Sequence, residues 1–133
     1  MTSVDLQALI QAARAAAAHA YIPYSNYRVG AALLAEDGTI YGGCNIENAA
    51  YPASICAERV ALVKAVSEGV TQFAAIAVIT RDGGSPCGHC RQALFEFAPG
   101  LRVIIAREDG AISFDGSLSD LLPLGFGPSN LAT

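Results

Sequence analysis

The alternation of hydrophobic and polar positions predicts first a helix and then a β-hairpin. Apolar residues recur with helical spacing in "LQALIQAARAAAA", and Asp5 or Ser3 is placed to cap a helix that ends before "IPYS". Two strand-like segments, 27–35 and 39–47, then flank the turn "EDG", which is typical of a hairpin.

The rest of the chain alternates between helical and strand patterns. A turn at 49–54 leads into a helix from about Cys56 to Glu68, and Gly69 is its predicted stop. The later segments are, in order, a buried strand at 73–80, a helix at 87–98, a buried strand at 101–107, a short strand at 111–116, a short helix at 117–123 and an irregular tail at 124–133.

This order of elements predicts a three-layer α/β/α sandwich. The strand–helix–strand unit at 73–105 requires a right-handed crossover and therefore a parallel pair, whereas the hairpin is antiparallel. The sheet should be mixed and roughly five-stranded, with helices on its faces. We find no repeat or linker, and 133 residues suit one domain, so we interpret 1–133 as a single domain.

Composition and charge restrict the classes of function. The net charge of −4 argues against a nucleic-acid polymer as partner, because such binding depends on a basic surface. The longest apolar run, at 73–79, is strand-sized, and the N-terminus lacks a basic start, so we expect no membrane segment and a cytoplasmic location. Thiols stay reduced there, and the four cysteines are therefore candidates for metal binding or catalysis.

Three of the cysteines lie at predicted helix starts. Cys87 and Cys90 form a C-x-x-C after Pro86, a pattern that suits either a redox dithiol or a metal site. Cys56 begins the preceding helix, and both helices should pack on one sheet, so that their N-termini can converge and favour thiolates. Three thiolates make a zinc site with one open position, as in catalytic zinc sites.

The sequence offers no convincing fourth protein ligand. His89 lies inside the C-x-x-C, where its side chain should point away from the metal, and His19 lies at the end of the first helix. We interpret both as ordinary histidines and Cys44, on the hairpin, as a small core thiol.

Charged residues beside the cysteines suit a metal site. Helical side chains lean toward the helix N-terminus, so Glu58 can reach the open metal position, although a Glu there also simply favours the helix dipole. Arg59 lies on the same helix face as Cys56, and Arg91 follows Cys90. Each arginine can hydrogen-bond a thiolate and offset the net negative charge of a zinc ion with three thiolates.

These residues resemble a known family. "CAE" followed by "PCGHC" is similar to the signature of the zinc-dependent nucleoside and nucleobase deaminases, in which the Glu is not a zinc ligand. With "PYSNYRVGAALL", "GCNIENAAY", "CAER", "SPCGHCRQ", "DLLP" and "GFGPSNL", the chain resembles the small homotetrameric type of the cytidine/deoxycytidylate deaminase family. The matching blocks run from about residue 23 to residue 131, and their combination is highly specific.

The resemblance implies a role for each matching residue. Cys56, Cys87 and Cys90 would bind one zinc ion per chain, and Glu58 would shuttle protons. The family usually has Phe where this chain has Tyr27, whose added hydroxyl needs a partner. The residues implied to contact the nucleoside are Asn45 and Glu47 at the ribose hydroxyls, the backbones of Ala57 and Ser85 at the base, Tyr27 beside the base, and Phe126 in a neighbouring subunit's pocket.

The activity that the resemblance implies is the hydrolytic deamination of cytidine, and of deoxycytidine, to uridine or deoxyuridine and ammonia in pyrimidine salvage. Zinc acidifies water. Glu58 takes a proton, passes it to N3 of the cytosine ring and then helps to protonate the departing amine. The implied assembly is a homotetramer with shared active sites.

Other functions share part of this pattern. A deaminase of another cytosine nucleoside, such as blasticidin S, would also have "CAE" and "PCG.CRQ", but Asn45 and Glu47 favour a free ribose. A structural zinc protein would need a fourth ligand. A dithiol oxidoreductase would need neither Cys56 nor Glu58, and zinc content distinguishes it.

Overall fold

In the computed structural model, which describes residues 4–132, a five-stranded sheet lies between helices. The helices and strands are α1 (Leu6–Ala17), β1 (Gly30–Ala35), β2 (Ile40–Cys44), α2 (Ala57–Ser67), β3 (Phe73–Thr80), α3 (Gly88–Phe97), β4 (Arg102–Arg107), β5 (Ile112–Ser117) and α4 (Leu118–Leu121). Two short 3₁₀ turns, Tyr51–Ala53 and Pro128–Asn130, complete the secondary structure of the described residues.

The sheet is mixed, as the sequence predicts. Its strand order is β2-β1-β3-β4-β5, with β3 and β4 parallel and the other three neighbouring pairs antiparallel. The parallel pair is the one that α3 connects, because a crossover helix is the usual way to join parallel strands. The predicted three-layer α/β/α architecture is confirmed.

The central strand β3 explains why its sequence is an unbroken apolar run. Ile76 and Val78 face the core that contains residues of α2 and α3, whereas Ala77 and Ile79 face the core that contains residues of α1. Successive side chains of a strand point to opposite faces, so a strand covered on both faces is apolar at every position. The sequence of β3 alone therefore indicates that helices cover both faces of the sheet.

Helix α1 covers one face of the sheet through a short apolar stripe. Leu9, Ile10 and Ala13 are buried, and the Asp5 carboxylate caps the helix by accepting a hydrogen bond from the backbone N–H of Ala8 at 3.1 Å. The alternative cap, Ser3, lies outside the described residues. Across residues 4–132, none of the helices combines the length and apolar character that a membrane span requires.

The hairpin strands are shorter than predicted, and an asparagine side chain is the reason. Strand pairing stops at Gly30 and Cys44. Beyond it, the Asn45 amide accepts from the N–H of Val29 at 3.0 Å and donates to the carbonyl of Tyr27 at 2.8 Å. The Val29–Asn45 pair thus keeps one ladder bond, from the Asn45 N–H to the Val29 carbonyl at 3.3 Å, and the Asn45 side chain takes the place of the other.

The ends of the later elements agree with the sequence to within a few residues. Gly69 has a φ of +88° and ends α2, which confirms its predicted role as the helix stop. Helix α4 is shorter than predicted because a capping box of Ser117 and Asp120 sets its start and the chain leaves the helix at Leu122. The tail, predicted to be irregular, contains the 3₁₀ turn Pro128–Asn130.

Candidate active site

The site lies where the N-termini of α2 and α3 meet at the sheet. Cys56 and Cys87 are the N-cap residues of these two helices, with extended backbone angles. A Cβ added to Gly43 of β2 would lie 2.3 Å from the carbonyl oxygen of Ala57. Glycine at this position therefore allows the first turn of α2 to pack directly on β2, which fixes the position of Cys56.

Three cysteine sulfurs form a cluster of metal-site dimensions. The Sγ of Cys87 lies 3.7 Å from that of Cys56 and 3.5 Å from that of Cys90, and the three atoms lie within 4.8 Å of one another. Tetrahedral zinc with Zn–S bonds of about 2.3 Å holds its sulfur ligands about 3.8 Å apart. The cluster therefore fits one zinc ion, and within residues 4–132 it includes no fourth His, Cys, Asp or Glu.

The thiols differ in how readily they ionise. A hydrogen bond from the Cys90 thiol, aided by the Arg59 guanidinium, lowers the pKa of Cys56 to about 5. The same pairing with Cys56, together with burial, raises the pKa of Cys90. The Arg59 Nη2 lies 3.8 Å from the Cys56 Sγ, as the sequence predicts for a thiolate partner. Among residues 4–132, the buried Nε of Arg59 has no hydrogen-bond partner.

Glu58 is a buried carboxyl group beside this cluster. Its side chain lies in the first turn of α2 and the residue is only 4% exposed. Burial, which disfavours the charged form, raises the pKa of Glu58 to about 7, and the negative charge of Cys56 adds to the effect. A carboxyl group with this pKa can both accept and donate a proton near neutral pH.

A pocket of about 290 Å³ is lined by residues of the cluster and by polar residues that follow β2. Cys56, Cys87 and Glu58 line it together with Asn45 and Glu47. Asn45 and Glu47 lie two positions apart and contribute to the same pocket. The other lining residues are Ser25, Tyr27, Val29, Val78, Thr80, Gly84 and Ser85.

The Glu47 carboxylate is held by the loop that precedes the hairpin. It accepts hydrogen bonds from the N–H groups of Tyr24 at 2.9 Å and Ser25 at 3.1 Å, and also from the Ser25 hydroxyl. The Ser25 hydrogen bond is the main reason that the pKa of Glu47 is lowered. Glu47 is therefore an ionised acceptor with a fixed orientation, and the sequence reading did not anticipate its support by Ser25.

The added hydroxyl of Tyr27 has a partner that the sequence reading did not identify. It donates to the carboxylate of Asp82 at 2.5 Å, and the guanidinium carbon of Arg81 lies 4.9 Å from the centre of the Tyr27 ring. Asp82 lies in a loop with two consecutive glycines, a pattern that is typical of an ordinary turn. The unmet hydroxyl of Tyr27 was the only signal that a partner was required.

Arg91 is placed differently from the prediction that it would donate to a thiolate. Its three hydrogen bonds go to oxygens: the carbonyls of Pro86 at 2.7 Å and Leu121 at 2.6 Å, and the hydroxyl of Ser85 at 2.7 Å. Because these acceptors surround the start of α3, Arg91 fixes the loop before Cys87 instead of contacting the sulfurs. Ser85 itself lines the pocket.

The remaining candidates are placed as follows. Ala57 is fully buried and is the first residue of α2, where backbone N–H groups have no partner inside the helix. Phe126 is 57% exposed and does not line the pocket of its own chain. His19 and His89 are exposed, and Cys44 is half-buried on β2, so none of these three belongs to the metal cluster.

The fold is a mixed sheet between helices, and three thiols and a buried carboxyl group lie at the starts of two of these helices. This combination defines a class of zinc-binding enzymes. The family model described as the cytidine and deoxycytidylate deaminase zinc-binding region matches residues 3–106. The chain belongs to this family. The matched region includes the three cysteines and Glu58 but not Phe126.

Individual relatives extend the similarity over nearly the whole chain. A protein named cytidine deaminase from Sporosarcina psychrophila is 48% identical over 132 residues, covering 97% of this chain and 96% of its own length. Another of that name, from Halalkalibacterium halodurans, is 46% identical over 126 residues, covering 92% and 95%. The crystal structure of cytidine deaminase from Burkholderia pseudomallei superposes with a TM-score of 0.86 at 46% identity, covering 95% of this chain and 100% of that one.

Proposed function

We propose that this chain is a zinc-dependent cytidine deaminase, which hydrolyses cytidine and deoxycytidine to uridine or deoxyuridine and ammonia. The observation that carries the proposal is the buried Glu58 carboxyl group beside three clustered thiols, in one pocket with Asn45 and Glu47. The names of the full-length relatives support the same substrate. We propose residues 1–133 as a single deaminase domain.

In this proposal Cys56, Cys87 and Cys90 hold one zinc ion, which when bound acidifies a water molecule. A set of three cysteines without a fourth protein ligand among the described residues would suit a catalytic zinc site, in which one position serves water. Arg59 donates to the Cys56 sulfur and offsets the negative charge of three thiolates. Arg91 supports the site indirectly by fixing the loop before Cys87.

Glu58 moves the protons of the reaction. It accepts a proton from the water whose oxygen bonds to C4 of the cytosine ring, and it delivers that proton to N3. It then takes the proton of the new C4 hydroxyl and gives it to the amino group, so that the C4–N bond breaks and ammonia leaves. One group has to accept and donate in turn, which suits a carboxyl group whose pKa is about 7. Burial also keeps bulk water away from Glu58 and so limits competing proton transfers.

The other pocket residues bind the nucleoside. The Asn45 amide and the ionised Glu47 carboxylate take the ribose hydroxyls, because both residues line the pocket and both groups can accept hydrogen bonds. The N–H of Ala57, at the start of α2, meets the base carbonyl, and the Ser85 carbonyl meets the amino group. The Tyr27 ring packs beside the base.

We propose further that the active enzyme is a cytoplasmic homotetramer that serves pyrimidine salvage. Phe126 then projects into the pocket of a neighbouring subunit, which is consistent with its exposure in a single chain. A single exposed apolar side chain is normal, but Leu124 and Leu131 of the same tail are exposed as well, which favours a covering subunit. When the pocket of a second subunit covers the Phe126 ring, the ring in turn closes that subunit's pocket.

The test is incubation of the purified chain with cytidine while ammonia and uridine are measured. Blasticidin S and cytosine serve as competing substrates, and the Glu58→Gln variant shows whether turnover depends on this site. We expect cytidine to be deaminated and the variant to be inactive. A protein with a full complement of zinc that leaves cytidine intact but deaminates blasticidin S would overturn the proposal.

A further inference from the structure

Two segments that both line the pocket are joined by a side-chain hydrogen bond. Tyr27 belongs to the segment before β1, and Asp82 belongs to the loop between β3 and α3. The Tyr27 hydroxyl donates to the Oδ1 of Asp82 at 2.5 Å across 55 residues of sequence. Tyr27 lines the pocket, whereas Asp82 is exposed and does not line it.

The same Asp82 oxygen organises its own loop. It accepts the N–H of Gly84 at 3.1 Å and the hydroxyl of Thr80 at 3.3 Å, and Gly84 N–H also donates to the Thr80 hydroxyl at 2.8 Å. Thr80 and Gly84 line the pocket, and Ser85 and Cys87 follow directly. A displacement of Asp82 would therefore move both the Tyr27 ring, which lines the pocket, and the segment that carries the Ser85 carbonyl.

Two further features suit this contact specifically. A Cβ added to Gly84 would lie 2.6 Å from the Tyr27 hydroxyl oxygen, so the hydroxyl occupies space that only glycine leaves open. The Arg81 guanidinium lies over the Tyr27 ring, with its central carbon 4.9 Å from the ring centre, at a distance suited to a cation–π contact. Arg81, Asp82 and Gly84, which all follow β3 directly, thus accommodate the Tyr27 phenol.

We propose that Asp82 is a positioning residue for the deamination reaction: through the Tyr27 hydroxyl it fixes the ring wall of the pocket against the loop that carries Ser85. The contact is termed the Tyr27–Asp82 latch. The inference rests on the proposed function for its kinetic consequence, but the latch itself is a contact that can be measured without turnover. The latch holds the substrate-binding wall and touches neither Glu58 nor the three cysteines.

Kinetics of four variants test the latch. Asp82→Ala and Tyr27→Phe should each raise KM for cytidine about three- to tenfold, the range expected for one lost hydrogen bond. They should change kcat by no more than roughly twofold, because binding of substrate and transition state weakens equally. Asp82→Asn should recover most of the loss, since its amide oxygen still accepts from the phenol and from Gly84 N–H. The double variant Tyr27→Phe with Asp82→Ala should be no worse than the poorer single variant.

A matched control separates the latch from loop folding. Asp37 also accepts a backbone N–H two positions ahead, from Thr39 at 2.9 Å, but it lies in the β1–β2 turn at the far end of β1. Asp37→Ala should leave KM, kcat and zinc content unchanged. The proposal is overturned if Asp82→Ala leaves KM unchanged, as Asp37→Ala should. It is also overturned if the fold-increase in KM of the double variant equals the product of the increases in Asp82→Ala and Tyr27→Phe.

A titration of the Tyr27 phenol keeps the latch testable whether or not cytidine is the substrate. Burial and the Asp82 carboxylate raise the pKa of Tyr27, and the nearby Arg81 acts in the opposite direction. Ultraviolet absorbance of the parent minus that of Tyr27→Phe isolates this phenol, and Asp82→Ala should shift its ionisation to lower pH. Failure of the parent to deaminate cytidine, with the shift present, rejects the proposed function and leaves the latch. Normal deamination without the shift rejects the latch alone.

The close approach of Gly84 supplies an independent variant. Gly84→Ala forces a methyl group toward the Tyr27 hydroxyl and should raise KM for cytidine. The same substitution in the Tyr27→Phe background removes that clash, so the added penalty should be smaller there than in the parent. An equal penalty in both backgrounds would show that Gly84 is required for another reason and would contradict the latch.

Discussion

The Sγ atoms of Cys56 and Cys87 lie 3.7 Å apart although 31 residues of sequence separate them. They meet because each sulfur belongs to the N-cap of a helix, and both helices pack on the same face of the sheet. Helix N-termini stabilise negative charge, and the pKa of Cys56 is lowered to about 5, chiefly by a hydrogen bond from the Cys90 thiol. The metal site is therefore a property of the α2–β3–α3 packing as well as of the cysteines.

We expect about one zinc ion per chain, and we expect Cys87→Ser to lose it. Oxygen at this position removes one of three sulfur ligands while it preserves the size and polarity of the N-cap. Metal analysis of the purified proteins gives the answer, with Cys44→Ser as the control because Cys44 lies outside the cluster. Full zinc retention in Cys87→Ser, with unchanged sulfur coordination, would contradict the ligand assignment.

Glu58→Gln should keep zinc and fold but lose nearly all turnover. Glutamine has the size of glutamate and can fill the same buried space, yet it cannot relay protons. General acid–base help is typically worth about two to four orders of magnitude in rate. The measurements are kcat for cytidine, zinc content and thermal unfolding.

The matched control for this variant lies at the other end of the same helix. Glu68 is exposed and forms the C-cap of α2, so Glu68→Gln changes the charge of α2 without touching the pocket. Its kcat should stay at the parent value. Turnover close to the parent rate in Glu58→Gln would reduce Glu58 to a helix-terminus charge with no part in proton transfer.

Glu47→Ala should weaken cytidine far more than it weakens the bare base cytosine. The ionised carboxylate offers a charge-assisted hydrogen bond to a ribose hydroxyl, which is stronger than a neutral one, and its loss should cost about tenfold or more in affinity. Values of kcat/KM for the two compounds test this, and competition binding replaces rates if cytosine is not turned over.

The hydrogen bonds of Glu47 require a second variant in that experiment. Because the carboxylate also anchors the N–H groups of Tyr24 and Ser25, Glu47→Ala loosens this loop as well as the sugar contact. Ser25→Ala removes one loop bond and keeps the carboxylate, so its loss should be smaller and similar for both compounds. Equal losses for cytidine and cytosine in Glu47→Ala would assign Glu47 to loop folding.

The residues that the sequence located correctly are those with a local signal. Cys56 and Arg59 lie three positions apart at one helix start, and Cys56, as the N-cap, has extended backbone angles that let Glu58 reach the same site. Asp82 and Arg91 were different, because their partners lie 55 and up to 30 residues away and depend on how loops meet in three dimensions. Nothing in the sequence around a charged residue in a turn indicates such a distant partner, so the Tyr27–Asp82 latch could be identified only from the structure.

Phe126→Ala should raise KM for cytidine about tenfold or more while each chain keeps its fold, because stacking on a base is worth about 1–3 kcal/mol. The backbone around the ring is already fixed: Gln92 Nε2 donates to the Phe126 carbonyl at 2.7 Å, and a Cβ on Gly125 would meet the Phe95 ring at 2.9 Å. The ring nevertheless stays 57% exposed. Leu131→Ala, at an exposed residue of the same tail, is the control and should not change KM.

Complementation decides whether Phe126 serves a neighbouring subunit. Glu58→Gln lacks the proton relay, and Phe126→Ala lacks the stacking ring. Mixed under conditions that exchange subunits, the two variants should form some pockets in which Glu58 of one chain faces Phe126 of another, because each chain supplies the group that the other lacks. Activity should therefore rise above the sum of the separate variants, and mass spectrometry of differently labelled chains should confirm the exchange. Proven exchange without a rise would place Phe126 against its own chain, where its present exposure would then require a change of tail conformation.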